Sequence, residues 1–203
     1  MSNEKIELSP VEAEKKQVNV FTKKCLAYLT ECNFQFPNCD IERTDKTTVK
    51  FTNANHIKNL PVGSHIQVPF LFMKDGARCV AQHHAIYIGK NEEEEDMVID
   101  ILKTYSPNKQ AIQIRKLETV FDMNDVDKTY QINNYENDND EIRQSTVRCA
   151  ELLCNSNFHY HIWFFNCEHF ATFCRTGIPR YSSTYKIYTP NSSSYIFPKV
   201  RTG

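Results

Sequence analysis

The sequence predicts an α+β domain, an antiparallel sheet packed against helices, with one extra helix at the N-terminus. Three observations carry that expectation. Apolar residues recur at three- and four-residue steps between Val18 and Cys32. From Leu60 to Arg115 the texture changes to short alternating or apolar runs separated by turns. Beyond the Asn- and Asp-rich stretch Asn133–Asp140, helical patterning returns in Glu141–Leu153 and again from Asn166 to Gly177.

Taken in order, Ser9 caps the first helix, Pro10 suits its first turn and Glu12 completes a capping box. Val18, Phe21, Cys25, Leu29 and Cys32 then form one apolar face. Asn33–Asn59 is polar and turn-rich, with a short strand at Thr47–Thr52. Leu60-Pro61-Val62-Gly63 is a turn, Ser64–Val68 alternates as a half-buried strand does, and Cys79–Ile88 is a second strand. The acidic run Glu92–Asp96 reads as a solvated hairpin tip leading to the apolar Met97–Leu102, because the ordered ligand spacing of a calcium loop is missing. Ala111–Arg115 and Tyr130–Ile132 add strands, Asn133–Asp140 reads as a linker, and Glu141–Leu153 as a helix buried through Ile142, Val147, Ala150 and Leu153. Gly177 and Pro179 stop the last helix, and Tyr181–Gly203, without periodicity, reads as a surface extension. The expected division is an N-terminal helix and polar extension over 1–59, a catalytic domain over 60–180 and a tail over 181–203.

Composition narrows the function classes. In 203 residues with 40% hydrophobic content, one core can close. The formal charge of −1 supplies no basic field for nucleic acid. No apolar run reaches the roughly 18 residues of a membrane span, and Met1–Lys5 is polar, unlike a signal peptide. A cytoplasmic protein, touching membranes peripherally if at all, is expected, with its eight cysteines reduced.

One of those cysteines has a special setting. Asn166 is a favoured N-cap residue, which puts Cys167 in a first helical turn, where free amides and the helix dipole favour a thiolate. Cys174 lies about two turns on, away from that terminus. A general base must reach the sulfur. His169 is turned about 200° from Cys167 around the axis and faces elsewhere. His83 and His84 are strand residues pointing to opposite sides. His84, Ile86 and Ile88 read as a core face, so His83, sharing a side with Ala85 and Tyr87, is the better-placed base. Asp100 sits in an otherwise apolar run and is a candidate to orient that base; the alternative is a solvent-facing residue at a strand edge. Zinc-ligand types occur at Cys149, Cys154, His159, His161, Cys167 and His169. However, Cys149 and Cys154 lie about 140° apart on their helix and no C-x-x-C pair exists, so no metal is expected.

Asn166-Cys167-Glu168-His169-Phe170, followed by Cys174-Arg175-Thr176-Gly177, closely resembles the Asn-Cys-Glu-His-Phe signature of the lecithin:retinol acyltransferase family. Gln82-His83-His84-Ala85-Ile86-Tyr87-Ile88-Gly89 is similar to that family's histidine strand, and Leu60–Ile66 to the segment before it. The resemblance spans roughly Leu60 to Gly177. It implies a circularly permuted papain-like fold, shared with the HRAS-like suppressor phospholipase/acyltransferases, in which the histidine precedes the cysteine. It further implies that Cys167 takes an acyl group from a phospholipid or other acyl ester as a thioester, that His83 deprotonates it, and that no cofactor is needed. The acyl group then passes to water, an amine, a lysophospholipid or retinol. The family's third polar residue, usually histidine, corresponds to Asp100, a departure in type. The chain also ends without the apolar anchor that many members carry. An amidase or peptidase of the papain-like kind, and a non-catalytic interaction protein on the same fold, are the alternative readings.

Overall fold

The structure, a computed structural model, describes residues 10–37, 41–50, 60–74, 77–102, 111–121, 129–156, 158, 166–180, 186–189 and 192–196. Its elements run α1 (Pro10–Glu31), β1 (Arg43–Lys50), β2 (His65–Lys74), β3 (Ala77–Lys90), β4 (Asp96–Ile101), β5 (Ile112–Lys116), α2 (Leu117–Phe121), β6 (Thr129–Tyr135), α3 (Asp140–Cys154), α4 (Cys167–Thr176), β7 (Lys186–Thr189) and β8 (Ser192–Ile196). The strands pair antiparallel in the order β1-β6-β2-β3-β4-β5, with β7 pairing β3 and β8 off that path. Helices and antiparallel sheet therefore combine as expected. Among the described residues no helix is long and apolar enough to cross a membrane.

The two faces of the sheet bury different cores. On one, Ile86, Ile99, Ile101 and Ile112 pack against Cys25 and Leu29 of α1, Leu153 of α3, and Phe170 and Phe173 of α4. On the other, Ile66, Val68, Ala85, Tyr87 and Val98 meet Leu117 and Val120 of α2. Each fully buried aliphatic or aromatic side chain here is worth about 1.5–3 kcal/mol. The His84–Ile86 side is a core face, as the pattern indicates, but the Ala85–Tyr87 side is buried as well.

The β3 edge positions the site. One edge of β3 pairs β2 from Ala77 to Ile86, while the other pairs β7 at Arg78–Val80 and β4 from Ala85 onward. Ala81–His84 is thus left without a strand partner on that second edge among the described residues. Pro69, opposite Gln82, has no N–H to offer it. Tyr87, five residues on and of opposite parity, exchanges its N–H and C=O with the chain leading into β2, through Ser64 and Gly63. By the antiparallel alternation, the Gln82 carbonyl faces the open edge.

Several elements depart from the sequence pattern. The short strand expected at Thr47–Thr52 begins earlier, as β1, and joins the sheet through β6. Asn133–Asp140 is not all linker: Asn133 and Tyr135 lie in β6 and are buried, where Asn133 Nδ2 donates to the His65 carbonyl and Tyr135 Oη bonds His65 Nδ1. The single helical turn α2, following directly on β5, was not expected. The tail contributes β7 and β8 rather than lying apart as a surface extension. Ser9, expected to cap α1, lies outside the described residues.

Gly63 adopts φ +89° in the turn before β2, and a Cβ there would press on the backbone carbonyl and Cβ of Arg143. Gly63→Ala should lower unfolding free energy by about 2 kcal/mol or more, read as a fall in the urea midpoint. Gly89→Ala, also at positive φ but meeting only a Val62 methyl at 3.1 Å, should lower it less.

Candidate active site

Local rules build the start of α4. The Asn166 side chain accepts from the amides of Glu168 (3.0 Å) and His169 (3.2 Å), and the Asn166 amide donates to His169 Nδ1 (3.4 Å). This is a capping box with histidine in place of the usual acid or amide. Burial lowers the His169 pKa to about 4, which keeps the ring neutral at ordinary pH. Gly177, at φ +72°, ends the helix in the left-handed conformation. Between these caps, Cys167 stands in the first turn, 8% exposed.

That turn meets the open edge of β3. Cys167 Sγ donates to the Gln82 carbonyl at 3.9 Å, and its side chain hydrogen-bonds His83. His83 Nε2 donates to Asp100 Oδ2 at 2.8 Å, which leaves the other ring nitrogen for Cys167. Asp100 is 0% exposed, paired between Ala85 of β3 and Gln113 of β5, so it is an interior residue and not a solvent-facing edge. The Arg115 Nε lies 3.6 Å from the same Asp100 oxygen. Burial alone would lower the His83 pKa, but the Cys167 charge, the hydrogen bonds to Asp100 and Cys167, and the Asp100 charge raise it to about 10. The arrangement is a thiol, an imidazole and a carboxylate in series, buried together and able to exchange a proton.

A second polar group lies beside it. Tyr135 Oη is 2.6 Å from His65 Nδ1, and His65 Nε2 is 2.8 Å from His84 Nδ1. Burial first, then neighbouring positive groups, lowers the His84 pKa to about 3 and that of His65 well below its usual value, so both rings are neutral. Glu168, 1% exposed, takes a 2.9 Å hydrogen bond from Arg43 Nη1. The Arg175 guanidinium covers the Tyr135 ring at 4.6 Å, donates to the Gly63 carbonyl and pairs with Asp138 at 2.8 Å.

The structure thus brings Cys167, His83 and Asp100 together, sends His84 to the neutral pair with His65, and gives His169 to the cap. Arg43, Arg115 and the Tyr135–His65–His84 chain had no signal in the motifs, because each is assembled by strand register. The Asn-x-x-His spacing at 166–169 was the one readable cue, as a variant capping box. At Cys174, burial, then contact with Cys149, pushes the pKa well above the usual thiol value. Among the described residues no three histidine, cysteine or acidic side chains are placed to hold a metal ion, while His159 and His161 lie outside them.

Compared with known proteins, the chain matches the family model described as lecithin retinol acyltransferase over residues 58–180, more than half its length. No curated protein and no solved structure matches it.

The raised His83 pKa has a sign. The imidazolium's contribution to stability is fully present below about 6.5 and is lost as pH rises through about 10. Ring-carbon NMR should therefore find His83 protonated through neutral pH. Cys167→Ala and Asp100→Asn should each move its midpoint down, Cys167→Ala by removing the leading cause of the rise. A midpoint at or below 6.5 in the intact protein contradicts this reading.

Proposed function

The chain belongs to the lecithin retinol acyltransferase family, and on that premise we propose that it is a cysteine-dependent acyltransferase or phospholipase A-type hydrolase acting on phospholipid acyl esters. Acyltransferase and phospholipase-type chemistry is what the family suggests in general. The finer reading rests on one observation, the buried His83 ring held between Asp100 Oδ2 and the thiol of Cys167 at a capped helix start. In this reading the catalytic unit spans 60–180, and the fold is papain-like and permuted, since the histidine strand β3 precedes the cysteine helix α4. Substrate reaches the site from a membrane surface that the protein touches peripherally.

In the proposed reaction the Cys167 thiolate, paired with the His83 imidazolium, attacks the ester carbonyl carbon and a C–S bond forms. The carbonyl oxygen becomes an oxyanion. In this reading the Cys167 N–H, in the first turn of α4 where backbone donors lack intrahelical acceptors, stabilises that oxygen. As the C–O bond breaks, His83 gives its proton to the departing lysophospholipid alkoxide, and a thioester remains on Cys167. The neutral ring next takes a proton from the acceptor's O–H or N–H while that atom attacks the thioester. Collapse releases the thiolate and restores the imidazolium. Asp100 holds the ring orientation throughout and balances its charge in the charged stages.

Incubation with mixed phospholipids followed by intact-mass measurement should show one acyl addition, mapped to Cys167. Cys167→Ala should lower fatty-acid release from labelled phosphatidylcholine by at least about 10³-fold. Release that survives in that variant sinks the thioester mechanism. Turnover of a peptide-amide panel in preference to the lipid ester points to an amidase instead.

Asp100→Asn tests the third member. Activity should fall by roughly 10²- to 10⁴-fold, mostly in kcat, as expected when the orienting charge behind a catalytic histidine is lost. A kcat unchanged within about twofold removes Asp100 from the mechanism.

A further inference from the structure

Glu168 is an awkward neighbour for a nucleophile. Its carboxylate follows Cys167 in the chain, is 1% exposed, and sits in the same first turn of α4. A negative charge there disfavours the thiolate and competes for the positive end of the helix. The counter-charge comes from elsewhere. Arg43 Nη1 meets Glu168 Oε1 at 2.9 Å, its own side chain 16% exposed. Arg43 opens β1, outside the stretch that matches the family, and register places it opposite Tyr135 of β6. A backbone bond from Glu136 to the Glu42 carbonyl at 2.8 Å fixes that end of β1.

We propose that Arg43, supplied by β1 from outside the family-matched stretch, is a positioning residue for Cys167: its guanidinium neutralises Glu168, so that the first turn of α4 presents its positive end to the thiolate. The segment before the family domain is then a working part of the site. Among the described residues, the other groups near this pair are placed differently. Lys46, also on β1, feels both charges but is exposed. His84 of β3 and His65 of β2 are buried and neutral. Tyr135 of β6 has its pKa raised by burial and carries no charge at ordinary pH. Arg175 of α4 is paired with Asp138. On the other side of Cys167 stand His83, Asp100 and Arg115, which the change leaves in place.

The proposal rests on Cys167 being the nucleophile, and its test reads the thiol without any acyl substrate. Iodoacetamide alkylation of Cys167 is followed by peptide mass spectrometry from pH 5 to 9, at a temperature where circular dichroism shows each variant folded. Arg43→Met should move the alkylation profile about half to one pH unit higher and slow the reaction at pH 7 by about three- to tenfold. Arg43→Gln, which keeps a hydrogen-bond donor without the charge, should do the same and serves if the Met variant fails to fold. Arg43→Lys should stay close to wild type. Adding Glu168→Gln to Arg43→Met should restore the profile, since no carboxylate is left to neutralise. Superimposable profiles for the neutral variants and wild type overturn the proposal. So does slowing that Glu168→Gln fails to relieve, because Arg43 would then act through packing. Wild-type Cys167 that alkylates no faster than Cys174 overturns the nucleophile reading itself. A fast wild-type rate that Arg43→Met leaves unchanged overturns only the role of Arg43.

Discussion

The site depends on the first turn of α4 meeting a stretch of β3 whose second edge has no strand partner among the described residues. Among the described residues, β4 and β7 share that edge and leave Ala81–His84 between them. A helix N-terminus brings unsatisfied donors and a strand edge brings unsatisfied acceptors, so the two ends are complementary. The thiol's contact with the Gln82 carbonyl, at 3.9 Å, is one local expression of that fit. The gap between β4 and β7 among the described residues makes room for the cysteine beside the histidine.

The helix-facing side of the sheet is divided. Toward β4 and β5 it is aliphatic, and Phe170 and Phe173 of α4 pack there. Toward β6 and β2 it is polar, with Tyr135, His65 and His84 bonded in series and Arg175 lying over the tyrosine ring. Isolated polar groups at such depth cost about 1–3 kcal/mol each when unpaired. Linking them in a chain avoids most of that penalty and fixes β6 against β2 by directional bonds as well as by the ladder. The neutral histidines add no charge to an interior that already holds Glu168 and Arg43.

Much of the strand and helix framework was legible, because periodicity is a local property. The amphipathic face of α1, the alternation in β2, and the Asn cap and Gly stop of α4 each announce themselves within a few residues. Polar core was not legible. Asn133-Asn134-Tyr135 reads as the start of a linker by composition, and only the partners across the sheet make it a buried strand. The histidine choice was half visible: pleat parity separates His83 from His84, but both faces proved to be covered, so burial itself did not discriminate. Asp100 was visible as an ionisable residue in an apolar run. Arg115 and Arg43 were not, since nothing within their own segments relates them to a carboxylate in another strand or in α4.

Those two arginines bear on the burial of a carboxylate at Asp100. An imidazole at that position can be neutral, whereas an ionised carboxylate at 0% exposure needs compensation. Charges of alternating sign provide it. A thiolate at Cys167, the imidazolium of His83, Asp100 and Arg115 form one series across α4, β3, β4 and β5, and Glu168 with Arg43 forms a second across α4 and β1. Each series sums to zero when fully ionised. Proton transfer between Cys167 and His83 removes one charge of each sign and leaves the sum unchanged. An interior so arranged can hold four ionised groups beside the thiol and its imidazole without a net field opposing either protonation state, which a carboxylate placed there without Arg115 would not allow.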